Sequence, residues 1–169
     1  WILSLLNSLV KEVETALDDY EPTRAARAIN DFVGDNLSNW YVRLNRKRFW
    51  GGEMTTDKLS AYQTLYQCLE TIAVLMAPIA PFYAYKLYLD LTSVTRGDDA
   101  PASVHLTLFP EIDESAIDKD LEERMSYAQQ ITSMVLALRR KASIKVRQPL
   151  GKILLPLSDD SVRSVIEPI

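Results

Sequence analysis

Apolar residues recur along most of this chain at helical spacing. Ile2, Leu6, Leu9, Val13 and Leu17 fall at steps of three and four, which places them on one stripe of an amphipathic helix ending near 18–20. Glu21-Pro22 then restarts the chain with proline at the position a helix tolerates best, its first turn. Ile29, Val33, Leu37, Tyr41 and Leu44 keep the period, so a second helix is predicted over 22–49, with Arg43 and its basic neighbours opposite a buried Leu37–Tyr41–Leu44 side and Gly51-Gly52 as the stop. A third helix is capped by Thr56 or Asp57 and carries the stripe Leu59, Tyr62, Tyr66, Leu69, Ile72, Ala73 and Met76. Pro78 and Pro81 stop or kink it, and a short fourth helix over 82–91 follows. Residues 92–115 read as loop, with an exposed tip at Arg96-Gly97-Asp98-Asp99 and one extended piece over 104–109. The fifth helix, about 118–141, has Leu121, Met125, Ala128, Ile131, Val135 and Leu138 as its expected buried line.

Beyond 141 the period changes. Ile144-Lys145-Val146-Arg147 alternates apolar with basic, and Ile153-Leu154-Leu155 follows a Gln148-Pro149-Leu150-Gly151 turn, a pattern that predicts a small β element near the C-terminus. The fold class expected is therefore all-α, an up-down bundle of four to five helices over 1–142, with 143–169 as the start of an appended region.

Composition narrows the chemistry. With 169 residues, 47% apolar and 25% charged, the chain is an ordinary soluble domain, able to remove about 70% of its unfolded surface from water without disulfides or a structural metal. The lone cysteine, Cys68, excludes a disulfide framework and a Cys-based zinc site and points to a reducing compartment. A single histidine, His105, removes most metal-site and triad arrangements, and a packed or capping role suits it. Five glycines leave no dinucleotide fingerprint and no phosphate-cradling loop. The longest apolar run, 72–85, is broken by two prolines and falls short of the roughly 20 residues of a membrane span. The chain opens on Trp1, without the basic flank of a signal peptide, and is expected to be cut from a larger protein.

Charge changes the picture more. The formal net charge of −4 argues against a polyanionic partner, but the distribution argues for one. Residues 36–52 hold Arg43, Arg46, Lys47 and Arg48 with no acid, and residues 124–158 hold seven cations with no acid. The remaining sequence carries 8 basic residues against all 23 acids. Two basic islands on an acidic body are the footprint of a module that meets a polyanion at one surface; solvated helix faces and dipole-compensating cations are the alternative.

Arg43, Arg46, Lys47 and Trp50 are spaced i, i+3, i+4 and i+7, and Asn36 and Asn39 continue that face one or two turns earlier. Guanidinium forks and amides suit phosphate oxygens and base edges, and an exposed indole offers a stacking surface for an unpaired base. Arg139, Arg140 and Lys141 close the fifth helix, where the dipole favours them, but Lys145 and Arg147 extend the charge past it and make a second ridge. The acidic run over 111–123 lacks the spacing and glycine of a calcium loop and reads as N-terminal dipole partners. No acid/base pair or activated nucleophile emerges, so this piece is expected to be non-catalytic.

The stretch Asp35-Asn36-Leu37-Ser38-Asn39-Trp40-Tyr41-Val42-Arg43-Leu44-Asn45-Arg46-Lys47-Arg48-Phe49-Trp50 resembles a segment of the anticodon-binding domain of class I isoleucyl-tRNA synthetases. Leu75-Met76-Ala77-Pro78-Ile79-Ala80-Pro81-Phe82 is similar to the proline-marked helix junction of the isoleucyl, valyl, leucyl and methionyl enzymes, and Ser103-Val104-His105-Leu106 through Phe109-Pro110 to their downstream signature. Leu138-Arg139-Arg140-Lys141-Ala142 with Ile144-Lys145-Val146-Arg147-Gln148-Pro149-Leu150 resembles the isoleucyl branch in particular. The resemblance covers nearly the whole chain in order. It implies a helical bundle that grips the anticodon stem and loop of an isoleucine-accepting tRNA, joined to a catalytic domain of the same chain in the cytoplasm, with no membrane partner. The HIGH and KMSKS signatures are absent, so ATP, and any Mg or Zn, would belong to other domains of the parent enzyme, with no cofactor here. The RNA-facing candidates it implies are Asn36, Asn39, Arg43, Arg46, Lys47, Trp50, Arg139, Arg140, Lys145 and Arg147. A helical scaffold docking acidic proteins, or the equivalent domain of a valyl-type enzyme, are the competing readings. A tRNA complex with steep salt dependence separates the first of these from RNA binding.

Overall fold

The computed structural model describes residues 1–95, 101–156, 163 and 165–166. The expected tip at Arg96–Asp99 lies outside them. The chain divides into two compact units, Ile2–Ile117 and Asp118–Ile169 together with Trp1.

In the larger unit, α1 (Ile2–Asp18) buries Ile2, Leu6, Leu9 and Val13 of the expected stripe, with Val10 and Ala16 beside them, while Leu17, its last member, is half-buried. Tyr20 ends the helix in the left-handed region at φ 59°: its N–H donates to the Leu17 carbonyl and that of Glu21 to the Ala16 carbonyl at 2.7 Å. Pro22 then opens α2 (Pro22–Asp31), which buries Ala25 and Ile29.

The single helix expected over 22–49 is three segments. From Phe32 to Val42 the backbone runs as a π-helix, whose i→i+5 ladder turns more slowly than an α-helix and so shifts the phase of everything after it. Phe32, Leu37 and Tyr41 remain buried. At Asn45 (φ −91°, ψ 15°) the helix breaks, the Asn45 side-chain amide donating to the Tyr41 carbonyl at 2.8 Å, and α3 (Arg46–Trp50) begins after it. Leu44, expected on the buried side, is consequently 66% exposed.

The next helix, α4 (Thr56–Met76), is capped one residue earlier than expected, by Thr55, whose hydroxyl accepts from the Lys58 N–H at 3.1 Å. Its buried line is Ala61, Cys68, Ile72, Ala73 and Leu75, so Leu59 and Tyr62 of the expected stripe lie on the exposed side. Met76 closes it, accepting from the Ile79 and Ala80 N–H groups, and Pro81 opens α5 (Pro81–Thr95). Tyr88, Ala84, Ala73 and Val104 form one small core, with the Tyr88 hydroxyl donating to the Pro101 carbonyl at 3.1 Å. The extended piece expected over 104–109 begins instead as a 3₁₀ turn, Val104–Leu106, started by the Ser103 hydroxyl. Glu114 pairs with Lys11 at 2.7 Å and the Asp113 N–H donates to Asn7 at 2.9 Å, which fastens this return segment to α1.

The second unit is built on α6 (Lys119–Lys141), capped by the Asp118 carboxylate accepting from the Leu121 N–H at 2.9 Å. No α6 residue is buried, and Leu138, expected in the buried line, is largely exposed. The helix ends with Ser143 at φ 56°, its N–H on the Arg140 carbonyl and that of Ile144 on the Arg139 carbonyl. No strand occurs among the described residues. The expected β element is corrected for a physical reason: alternation makes a strand only where another strand offers a ladder, and here Arg139 turns the chain instead, donating from Nη1 to the carbonyls of Lys145 (2.8 Å) and Gln148 (2.9 Å).

Candidate nucleic-acid interface

The basic face on α3 exists because the other side of that short helix is tightly held. Phe49 is buried between two tyrosines in edge-to-face contact, Tyr41 at 6.0 Å and Tyr62 at 5.3 Å. The Tyr41 hydroxyl donates to the Ala61 carbonyl, which ties the π-helix to α4, and the Tyr62 hydroxyl donates to the Phe49 carbonyl, which ties α3 to α4, both at 3.1 Å. Burial pushes the Tyr41 phenol above its ordinary range, so it stays a donor.

Arg48 belongs to the same anchoring. It forks onto Asp57 (Nε to Oδ2 2.8 Å, Nη2 to Oδ1 2.7 Å), which holds the Asp57 carboxyl below the usual aspartate range and raises the guanidinium. The cations and aromatic left outward on this segment are Arg43, Arg46, Lys47 and Trp50, all exposed, with Leu44 exposed among them. None of the three cations has an ion pair among the described residues. Trp50 is 74% exposed, and the Arg46 guanidinium lies 4.8 Å from its ring centroid. A cleft of about 330 Å³ beside Lys47 has mixed charge: Lys47, Arg48 and Lys58 line it together with Glu53 and Asp57, and the Lys58 ammonium donates to the Gly51 carbonyl.

Asn39 is exposed, but Asn36 is half-buried and lines a different feature, an open 740 Å³ groove of mixed charge in which Arg24 and Arg27 face Glu12, Glu21 and Asp31. That groove was not legible from helical spacing, because it depends on the turn at Tyr20 bringing α2 back along α1. In the second unit Arg140, Lys145 and Arg147 are exposed, whereas Arg139 is engaged with the carbonyls that close the following turn. His105 is exposed and stacks on Tyr85 at 6.3 Å, and Cys68 is buried with its thiol pushed up to about 12.

The model of the anticodon-binding domain of tRNA ligases matches residues 1–154. This chain belongs to that family. The match runs through both compact units and takes in both basic islands. An isoleucine–tRNA ligase of Bacteroides thetaiotaomicron is 65% identical over all 169 residues, one of Porphyromonas gingivalis 62% over the same span, and one of Clostridium novyi 50% over 155 residues, 92% of this chain. This anticodon-binding chain spans 14%, 14% and 15% of the length of those relatives. Among the described residues no helix is long and apolar enough to cross a membrane.

Proposed function

We propose that this domain serves an isoleucine–tRNA ligase by gripping the anticodon stem and loop of the isoleucine-accepting tRNA, so that the acceptor end reaches a catalytic domain elsewhere in the same cytoplasmic polypeptide. The reading rests above all on Arg43, Arg46 and Lys47, three exposed cations with no acidic partner among the described residues, on a segment whose fourth, Arg48, is used by the fold. Guanidinium and ammonium groups that face water without an acidic partner give up little on meeting a phosphate and release its condensed counterions, which drives binding. Arg140, Lys145 and Arg147 offer a second set of phosphate contacts, and Asn36 and Asn39 polar contacts to sugar or base. Arg139, whose fork already holds two carbonyls, acts by shaping the turn that presents Lys145 and Arg147. ATP-dependent activation, with any Mg or Zn it uses, belongs to the remainder of the ligase, and this chain alone catalyses no isoleucine-dependent pyrophosphate exchange.

The test is a salt titration of the chain with isoleucine tRNA and with heparin. Tighter binding to the tRNA, falling steeply with salt, supports the reading; equal binding to both, or a shallow slope, favours a scaffold for acidic proteins.

A further inference from the structure

Trp50 is an anomaly among the aromatic residues of its neighbourhood. Phe49, which precedes it on α3, and Tyr41, on the π-helix before, are buried, while Trp50 leaves 74% of its surface in water at the end of a five-residue helix. An indole carries a large apolar surface whose exposure is unfavourable unless something covers it. It is also backed on one side: Arg46, one turn earlier on α3, lies over the ring with its guanidinium carbon 4.8 Å from the centroid. Among the described residues no second cation or ring stacks on the indole, and the next two residues, Gly51 and Gly52, carry no side chain; a Cβ on Gly52 would meet nothing within 4 Å.

We infer that Trp50, backed by Arg46, is a one-sided stacking platform for a single unpaired nucleobase. This rests on the RNA-binding reading above and adds to it a division of labour. Arg43 and Lys47 meet phosphates and supply the salt-dependent part of affinity; the indole supplies a part independent of salt, because stacking releases no counterions. With Arg46 covering one face, one base stacks and a second cannot intercalate. The base must be unpaired to present its face, which restricts the ligand to a loop, bulge or end rather than a duplex.

The experiment uses the complete ligase and its tRNA, with 2-aminopurine placed at one anticodon-loop position at a time. One labelled position is quenched on binding to the wild type and not to Trp50→Ala. Trp50→Ala weakens tRNA binding roughly ten-fold at every salt concentration with an unchanged log–log slope, and Trp50→Phe keeps most of the affinity. Wild-type affinity for Trp50→Ala, a changed slope, or identical quenching profiles for the two proteins would overturn the inference. Arg43→Glu/Lys47→Glu is measured alongside: if it weakens binding while Trp50→Ala does not, stacking alone is wrong, and if neither does, the RNA-binding face is wrong as well.

Discussion

Arg48 and Asp57 meet through two parallel hydrogen bonds, at 2.8 and 2.7 Å, and this contact is what separates Arg48 from the three cations around it. Arg48 also reaches the Asp57 carbonyl at 3.3 Å, and the Asn45 side chain at 3.4 Å, so one guanidinium joins the break at residue 45 to the first turn of α4.

That pairing gives a pH dependence of defined sign. The Asp57 carboxyl is held below the ordinary aspartate value, about 3.9, mainly by its hydrogen bond from Arg48. A group depressed on folding contributes stability that is fully present above the unfolded value and disappears as pH falls through the folded one. Urea midpoints measured downward from neutral pH should therefore fall below about pH 4 more steeply for the wild type than for Asp57→Asn, whose midpoint is already lower at neutral pH.

Phe49→Ala removes the ring clamped by Tyr41 and Tyr62 and should cost about 3–5 kcal/mol, read as a lowered thermal midpoint. Arg43, Arg46 and Lys47, exposed on the same segment, contribute at most about 1 kcal/mol each, and their replacement should leave the midpoint close to wild type.

The helical stripes of α1 and the proline junction after α4 were legible because each follows from local periodicity and from the chemistry of proline. The break at Asn45 was not, since the apolar period runs unbroken through Leu44 and only the π-helical winding reveals that the phase has slipped. Ile144-Lys145-Val146-Arg147 misled for a related reason: alternation is a necessary sign of a strand, but pairing is a tertiary event, and the Arg139 side chain makes a turn of the same residues. The basic face itself was visible as an acid-free run. Which of its members is structural depended on Asp57, nine residues away from Arg48.

Tyr20 and Ser143 each hold a left-handed conformation that glycine adopts without steric cost. Tyr20→Gly and Ser143→Gly should each stabilise the chain by up to about 1 kcal/mol, with Tyr20 giving up little packing because its side chain is almost wholly exposed. Calorimetric melting of the single variants checks this.

Cys68 should behave as an inert thiol. Its burial on α4 and the upward push to about 12 keep it protonated and shielded at neutral pH, so a disulfide reagent should label it only at the rate of opening, and immediately in denaturant.

Whether the exposed cations on the segment ending in Trp50 hold tRNA phosphates is tested most directly by changing Arg43, Arg46 and Lys47 to glutamate together in the complete ligase and measuring isoleucylation against tRNA concentration at several salt concentrations. The expected result is a raised KM for tRNA and a log–log salt dependence shallower by roughly one unit for each phosphate no longer neutralised, in a variant that melts like the wild type. A folded variant that charges tRNA with the wild-type KM and the wild-type salt slope would contradict it.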